Sequence, residues 1–230
     1  MRSAPLDTRG CRKRIETYRS NGMFQPPSVQ DALMQPGYTG GSNWGGIAFD
    51  PQRQVAVANT LDLPFVMALV PRDEQQAQRA DPRYAGFEFA PQRGTPYGMR
   101  RRAFVSALGI PCVKPPWGTL TAVEMARGTI KWQIPLGRTP YIGMNVGMPG
   151  FGGPIVTAGG VVFIAASLDD RLRAFDTDSG KLLWEVKLPA GGQATPMTYA
   201  IGGRQYLVIA AGGYKGVSTR GDYLIAYALP

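Results

Sequence analysis

The chain contains an internal repeat, and the period of that repeat restricts the possible folds more than any other feature. Residues 120–132 read LTAVEMARGTIKW and residues 172–184 read LRAFDTDSGKLLW. An alanine, an acidic residue, a glycine and a tryptophan each recur 52 residues apart, and the alanine recurs again at Ala226. A fixed period of roughly this length indicates propeller blades or another stacked unit. The third copy stops before its glycine and tryptophan, so we expect the last unit to be cut within its pattern.

Each copy of the repeat has the pattern of a β-hairpin with an aromatic anchor. The acidic residue opens the turn, the glycine accepts a positive φ angle, and the tryptophan returns on the second strand. The small side chains of Ala122 and Ala174 let a neighbouring indole lie flat against the backbone. Trp132 and Trp184 are therefore predicted to be structural residues that dock adjacent blades. The alternative is a coincidence between two hairpins, which the match of four positions at one spacing disfavours.

Alternating apolar residues predict further strands around these hairpins. Four predicted strands lie within one period of the repeat, and three more follow in the next unit. Three strands upstream indicate a weaker blade that lacks the glycine and the tryptophan. The predicted strands are residues 154–157, 161–166, 171–176 and 182–187, then 195–199, 206–210 and 223–227, and upstream 46–50, 55–59 and 65–70. With 30 glycines and 20 prolines for the turns, the predicted fold class is all-β.

The strand pattern predicts a partial β-propeller of about three and a part four-stranded blades in residues 43–230. A turn-rich stretch at about 71–117 interrupts the period and is predicted to be an inserted loop region. Residues 1–42 are predicted to form a short basic segment, a candidate helix, and then a loop rich in proline and glycine. Known propellers have at least four blades, and an open one leaves strand edges unpaired. We therefore expect the chain to be the end of a larger propeller.

The residues that the chain lacks exclude several classes of enzyme. It contains no histidine, which excludes Ser-His-Asp and Cys-His nucleophiles, histidine-ligated zinc and histidine acid–base catalysis. Its two cysteines, Cys11 and Cys112, are too few for a disulfide scaffold or a thiolate metal site, and the sequence leaves a single long-range bridge open. The basic N-terminus lacks the apolar stretch of a signal peptide, so we expect that this segment does not encode export.

The net charge of +9 raises the question of a nucleic-acid or anionic-membrane partner. The arginines are scattered, and only Arg100, Arg101 and Arg102 are adjacent outside a loose N-terminal cluster. Binding to single strands usually requires basic residues interleaved with aromatic ones, a pattern that the sequence lacks. The charge is therefore interpreted as a solvated surface, and no nucleic-acid partner is expected.

Several longer strings carry a resemblance to a known family. The pattern at residues 174–184 resembles the tryptophan-docking motif of eight-bladed quinoprotein dehydrogenases, which use pyrroloquinoline quinone (PQQ). Four further strings resemble the C-terminal part of the membrane-bound PQQ glucose dehydrogenase family and its quinate/shikimate dehydrogenase relatives. They are GSNWGGIAFDP at 41–51, PPWGTLTA at 115–122, LPAGGQATPMTY at 188–199 and GDYLIAYALP at 221–230.

The resemblance implies an oxidoreductase on the periplasmic face of the inner membrane. In this family a calcium-bound PQQ accepts a hydride from a sugar or cyclitol hydroxyl, an aspartate base removes the hydroxyl proton, and the electrons pass to ubiquinone. Calcium acts there as a Lewis acid. The catalytic aspartate, the calcium ligands and the membrane-spanning helices lie upstream of the portion that this chain matches. The remaining blades and the membrane domain are thus expected partners, and the chain alone is expected to be inactive.

Five candidate cofactor-binding residues carry over from the resemblance, whereas no catalytic residue and no metal ligand does. Asn43 and Trp44 match an Asn-Trp pair at the quinone, and Asp169 matches an acid near the cofactor end of its blade. Gly213 and Tyr214 match a loop that brings a ring to PQQ, although some relatives have histidine or tryptophan there. The residues alone also allow a turn before a strand at Asn43 and Trp44, and a hairpin-turn acid at Asp169.

Two hypotheses about function follow. In the first, the chain is the C-terminal portion of a PQQ-dependent glucose or quinate dehydrogenase and supplies part of the cofactor wall. In the second, it is a truncated, non-catalytic propeller fragment that acts as a binding or scaffold piece, and its open blade edges predict instability or assembly. The sequence does not choose the substrate, and binding of PQQ together with the size of the polypeptide distinguishes the two hypotheses.

Overall fold

The computed structural model describes residues 8–20, 22, 24–139, 144–214 and 218–228. Antiparallel strands dominate this part of the chain, which confirms the predicted all-β class. The chain divides into two compact units, residues 1–40 with 63–114 and residues 41–62 with 115–230. The strands are β1 (Ala32–Met34), β2 (Ile47–Asp50), β3 (Val55–Leu61), β4 (Phe65–Pro71), β5 (Glu88–Ala90), β6 (Tyr97–Ala103), β7 (Gly118–Glu124), β8 (Thr129–Pro135), β9 (Ile155–Val156), β10 (Val161–Ile164), β11 (Arg171–Asp176), β12 (Leu182–Lys187), β13 (Met197–Ile201), β14 (Arg204–Ala211) and β15 (Tyr223–Ala228).

The first unit contains a four-stranded antiparallel sheet in the order β1-β4-β6-β5. The helical segments of this unit are α1 (Thr8–Ile15), α2 (Gln75–Ala80) and single 3₁₀ turns at Arg72–Glu74 and Pro82–Tyr84. β4 buries the apolar side chains of Val66, Ala68 and Val70. A disulfide joins Cys11 in α1 to Cys112, with the two Cα atoms 5.6 Å apart. The structure thus contains the long-range bridge that the sequence left open.

The second unit contains three sheets, and the two full copies of the repeat form matching hairpins in two of them. We call these sheets blade 1 (β2-β3-β7-β8), blade 2 (β9-β10-β11-β12) and blade 3 (β13-β14-β15). Ala122 lies directly opposite Trp132 in blade 1, and Ala174 lies opposite Trp184 in blade 2. In both hairpins the register shifts immediately after the alanine. The two copies therefore share a strand irregularity as well as a sequence pattern.

One predicted strand grouping is wrong. The sequence places residues 65–70 in a weak upstream blade with residues 46–59, but β4 belongs to the sheet of the first unit. β2 and β3 instead complete blade 1, because β3 pairs with β7 along its whole length. The alternating burial of β3 fits one face against the core. Pairing between β3 and β7, which lie far apart in the chain, depends on burying the same face of the sheet against the core. A local sequence pattern does not encode that pairing.

The stretch at 71–117, predicted to be irregular, contains α2, β5 and β6. The sequence of β6, YGMRRRA, gives no strand signal, because its burial does not alternate and its three consecutive arginines do not resemble core residues. Arg100 is nevertheless only 5% exposed. Its guanidinium donates to the Asp31 carboxylate at 2.9 Å and to the Gln78 side-chain oxygen at 2.5 Å, and it lies 4.3 Å from the Tyr84 ring. A buried charge needs such partners, and they come from distant segments.

The core of the second unit lies between neighbouring blades. One buried cluster joins blades 1 and 2 and consists of Val55, Val57, Leu120, Ala122, Leu136, Val162, Ile164, Ala166 and Phe175. A second cluster joins blades 2 and 3 and consists of Ala165, Leu172, Leu188, Ala190, Leu207, Ile209 and Ala211. Burial of apolar surface contributes about 25 cal/mol per Å². These clusters hold the blades side by side and fix the loops at their ends.

Candidate functional site

The indole of Trp132 connects blade 1 to the hairpin turn of blade 2. Its N–H donates to the Thr177 carbonyl across 2.9 Å. Its ring lies so close to Gly180 that a Cβ atom added there would stand 2.7 Å away. The same turn is bound by Arg53 of blade 1, whose Nε lies 3.2 Å from the Asp178 carboxylate. This geometry supports a docking role for Trp132.

Trp184 occupies the equivalent position of blade 2 and faces blade 3. Its ring centroid lies 5.5 Å from that of Tyr227 in β15, with an edge-on angle of 73°. The side chain is 39% exposed. Ala174 and Ala122 are the cross-strand partners of the two tryptophans, so each small residue lies opposite the indole of its own hairpin. The docking role of these four residues stays a prediction that the geometry supports.

Substituting Gly180 tests the docking contact directly. Gly180 and Gly128 occupy the same turn position in the two hairpins, with φ angles of +70° and +66°. A Cβ at Gly128 would meet nothing within 4 Å, whereas one at Gly180 would strike the Trp132 ring. We expect Gly128→Ala to cost about 1 kcal/mol of stability from the backbone alone, and Gly180→Ala about 2 to 4 kcal/mol. Urea unfolding measures both, and equal costs would contradict the docking contact.

Asn43 and Trp44 lie on the loop that leads into β2. The side-chain oxygen of Asn43 accepts the Trp44 backbone N–H at 2.7 Å, and the Asn43 carbonyl accepts the Gly46 N–H at 3.0 Å. These bonds close the loop into a tight turn. The Trp44 side chain is 69% exposed. The turn therefore presents an indole, with its flat face and its N–H donor, outside the core.

Gly213 and Tyr214 lie on the loop after β14. Gly213 has a φ angle of +68°, and a Cβ there would overlap the Thr219 carbonyl, so the position requires glycine. The Tyr214 N–H donates to Ser218 Oγ at 2.8 Å, and the Ser218 N–H donates to the Tyr214 carbonyl at 3.1 Å. Tyr214 is 55% exposed. The loop thus holds a second exposed ring on a closed turn.

One further loop, residues 150–153, contacts both of these turns, and we call it the bridging loop. The ring of Phe151 lies 5.4 Å from the ring of Tyr214. The last two residues of the loop are glycines whose backbone lies against Gly45, where any Cβ would overlap them. The bridging loop therefore connects the turn that carries Trp44 to the turn that carries Tyr214. Four of the five predicted cofactor-binding residues lie on these two turns.

Asp169 lies two residues after Ser167, which pairs with Gly150 of the bridging loop. The Asp169 carboxylate, however, is bound by other residues of the same blade and its neighbour. Arg173 binds both of its oxygens, Ser167 Oγ donates at 2.5 Å and the Arg138 N–H donates at 2.9 Å. Burial by itself would raise the pKa of Asp169. The hydrogen bonds and charge of Arg173, with the Ser167 and Arg138 donors, outweigh burial and hold this pKa below its ordinary value. The geometry favours the structural alternative for Asp169 over direct contact with a cofactor.

The sequence did not single out Gln193, whose side chain joins the bridging loop to Ser167. Its side chain is 8% exposed, and its Oε1 accepts the Phe151 N–H at 3.1 Å. Its Nε2 donates to the Ser167 carbonyl at 3.3 Å. The available signal was the glycine-rich segment 147–153, which predicts a loop. A glutamine 40 residues further on gives no local sign that it holds that loop.

The two turns present groups that can donate a hydrogen bond to a flat ligand and stack on it. Asn43 and Trp44 carry an amide and an indole N–H donor, and Trp44 and Tyr214 offer flat faces. Among the residues that the structure describes, no group of three or more histidine, cysteine, aspartate or glutamate side chains is placed to hold a metal ion. Over the same residues, no helix is both long enough and apolar enough to cross a bilayer.

Antiparallel sheets that pack side by side through buried clusters and carry loops at their ends are typical of a β-propeller. Solved structures with this fold include the quinohemoprotein alcohol dehydrogenase of Comamonas testosteroni, with a TM-score of 0.57 and 24% identity over 85% of this chain and 27% of that one. A europium-containing methanol dehydrogenase gives the same score and identity over 81% and 27% of the two chains. At this identity the likeness concerns the fold alone, and it confirms the predicted propeller.

Sequence comparison identifies the family. The profile described as "Glucose/ethanol/alcohol dehydrogenase, beta-propeller domain", of the PQQ type, matches residues 1–207. Quinoprotein glucose dehydrogenase of Escherichia coli strain K12 is 46% identical over 96% of this chain, and quinate/shikimate dehydrogenase (quinone) of Acinetobacter baylyi is 42% identical over 99% of it. The chain belongs to the family of PQQ-dependent quinoprotein dehydrogenases, which confirms the resemblance. It spans 29% and 30% of the length of these two relatives.

Proposed function

We propose that the chain is the C-terminal propeller portion of a PQQ-dependent dehydrogenase that oxidises a sugar, such as glucose, or a cyclitol hydroxyl and passes the electrons to ubiquinone. The observation that carries the proposal is the pair of exposed rings, Trp44 and Tyr214, on two closed turns that one loop connects. The names of the relatives, which are glucose and quinate/shikimate dehydrogenases, support the class of substrate. Because those relatives are much longer, the activity is assigned to a longer protein.

Within that protein, the chain's own residues bind and orient the cofactor. PQQ, when bound, supplies the hydride acceptor. The rings of Trp44 and Tyr214 would cover this flat cofactor and exclude water from it, and the side-chain amide of Asn43 would donate a hydrogen bond to it. The catalytic aspartate and most of the calcium ligands are proposed to lie in blades outside this chain.

The exposure of blade 3 supports the proposal that further blades are partners. Leu172 in β11 and Leu224 in β15 stand 52 residues apart, at the same position of the repeat. Leu172 is fully buried, whereas Leu224 is 77% exposed. Among the described residues, blade 2 has four strands and blade 3 has three. We infer that a strand and a neighbouring blade of the longer protein cover β15.

The disulfide supports the proposed location at the periplasmic face of the inner membrane. Disulfides form and persist in oxidising compartments, which include the bacterial periplasm, and are rare in the cytosol. The Cys11–Cys112 bridge has ordinary Cα spacing within a compact unit. An oxidising compartment is therefore the environment in which this unit is proposed to fold.

The size and the cofactor dependence of the polypeptide test the proposed function. An antibody against the hairpin at 173–184 is expected to detect a membrane-bound band several-fold above 24.8 kDa. Membranes that carry this band, after removal of PQQ and divalent ions, are expected to regain reduction of a ubiquinone analogue when PQQ and calcium are added together. Glucose and quinate are supplied in parallel to identify the substrate.

Two results would contradict the proposal. One is a band at 24.8 kDa that remains monodisperse and binds no PQQ, which favours the non-catalytic fragment. The other is a membrane-bound band of the larger size whose dehydrogenase activity does not depend on PQQ. A matched control is the same membrane preparation from cells in which the gene is interrupted.

A further inference from the structure

The bridging loop decides how far apart the two exposed rings stand. It packs against the turn of Trp44 through its glycines and against Tyr214 through the ring of Phe151. A shift of this loop therefore moves both rings relative to each other. The residues that hold the bridging loop therefore control the distance between the rings of Trp44 and Tyr214 at the proposed cofactor site.

Two side chains from the segment after blade 2 hold the bridging loop. Thr195 Oγ1 accepts the Gly153 N–H at 3.2 Å, and Gln193 Oε1 accepts the Phe151 N–H at 3.1 Å. Gln193 differs from Thr195 because its other end is also bound, through Nε2, to the Ser167 carbonyl at 3.3 Å. Gln193 thus connects the bridging loop to the segment that carries the buried Asp169–Arg173 pair.

Burial makes the bonds of Gln193 difficult to replace. The side chain is 8% exposed, and Ser167 is fully buried. A buried donor or acceptor that loses its partner bears the desolvation cost, because water does not reach it. The backbone of Gly152 also lies against the backbone carbonyl of Gln193. A Cβ atom added at Gly152 would stand 2.6 Å from that carbonyl oxygen. The residue therefore holds the loop with its side chain and its backbone.

We propose that Gln193 is a positioning residue for the PQQ site: by holding Phe151 it sets the place of Tyr214 relative to Trp44. The proposal rests on the proposed function, since it assigns Gln193 a role toward the same cofactor. Gln193 itself lies beneath the loop and acts through it. Its loss is expected to weaken PQQ binding more than it weakens the fold.

The test uses Gln193→Leu in the full-length polypeptide that carries this chain. The PQQ concentration needed for half-reconstitution is expected to rise on the order of tenfold, the effect of losing a buried hydrogen bond. The rate at saturating PQQ is expected to change much less. The control is Gln133→Leu, which removes a bond of 2.9 Å to Thr121 Oγ1 between two strands of blade 1. It is expected to leave the PQQ requirement unchanged.

A second readout needs no bound cofactor. In the full-length polypeptide prepared without PQQ, hydrogen exchange at the Phe151 amide is expected to become faster in Gln193→Leu, because its acceptor is gone. Gln193→Glu keeps an acceptor for this amide but turns a second oxygen toward the buried Ser167 carbonyl, so it is expected to restore slow exchange only in part. Gln133→Leu is expected to leave this amide as in the wild type.

The outcomes separate the two proposals. Unchanged exchange at Phe151 and an unchanged PQQ requirement in Gln193→Leu would overturn the positioning role, even if the unfolding midpoint fell. A wild-type polypeptide that takes up no PQQ would overturn the proposed function, and with it the role of Gln193 toward PQQ. A rise in the PQQ requirement together with faster exchange supports both.

Discussion

Replacing Cys11 and Cys112 together with serine is expected to lower the free energy of unfolding of the first unit by about 4 to 5 kcal/mol. The bridge joins residues separated by 101 positions, and in the chain-entropy account the stabilisation grows with the length of the closed loop. The other described contacts of α1 are modest. They include a hydrogen bond of 2.5 Å from Arg14 to the Val105 carbonyl and the Arg14 guanidinium 5.1 Å from the Phe104 ring.

Hydrogen exchange resolves this effect within one sample. Protection of the amides in β4 and β6 is expected to fall in the double serine variant, whereas β10 and β11 in the second unit serve as the internal control. A reducing agent should reproduce the loss in the wild type and do nothing further to the variant. Full protection of β4 and β6 in the reduced wild type would show that the bridge contributes little.

Arg173→Met is expected to destabilise the second unit by about 3 to 5 kcal/mol, because it leaves the Asp169 carboxylate buried without its cation. The two side chains are 5% and 7% exposed. Arg173 also donates to Ser167 Oγ at 2.9 Å and lies 3.4 Å from Glu185, so its loss disturbs a network rather than one pair. Urea unfolding followed by tryptophan fluorescence measures the change, since all four tryptophans lie in this unit.

The pH dependence of the same network gives a signed expectation. The folded pKa of Asp169 lies below its unfolded value of about 4. The stability that this carboxylate contributes is therefore present above about pH 4 and is lost as pH falls through the folded pKa. In Arg173→Met burial is no longer opposed by the cation, so the pKa of Asp169 rises and the folded state favours the protonated acid. We expect the cost of the substitution to be smaller at pH 3 than at pH 7.

Arg127→Met is the matched control for this experiment. Arg127 pairs with Glu124 at 3.5 Å, but its side chain is 75% exposed. Exposed pairs are screened by water and salt and contribute little. The control is expected to unfold as the wild type does at both pH values. A cost for Arg173→Met that is no larger than the cost of Arg127→Met would contradict the assignment of the Asp169–Arg173 pair as a buried structural element.

The hairpins could be predicted from the sequence because their determinants are local. A glycine at a fixed distance after a small residue dictates the turn, and Gly128 and Gly180 have the positive φ angles that the pattern predicts. The position of the tryptophans followed from the same spacing. Blade 1 could not be predicted in full, because β3 pairs with β7 across an inserted unit. Nothing near either strand specifies that partner.

The candidate site divides in the same way. The resemblance identified Asn43, Trp44, Gly213 and Tyr214, and the structure places them on two turns that the bridging loop connects. The resemblance could not distinguish a role for Asp169 in binding a cofactor from a role in stabilising the fold. That choice depends on Arg173, Ser167 and Arg138, which bind the carboxylate and lower its pKa against the effect of burial.

The sequence by itself determined the all-β class and the repeating hairpin, because both depend on residue types at short, regular spacing. The PQQ family came from the resemblance of longer strings to known proteins. Only the tertiary structure decided which strands share a sheet, that Cys11 meets Cys112, and that Gln193 lies beneath the bridging loop. These contacts join residues far apart in the chain, and they form where burial forces polar groups to find partners. Burial of this kind is a property of the packed molecule, which a short stretch of sequence does not encode.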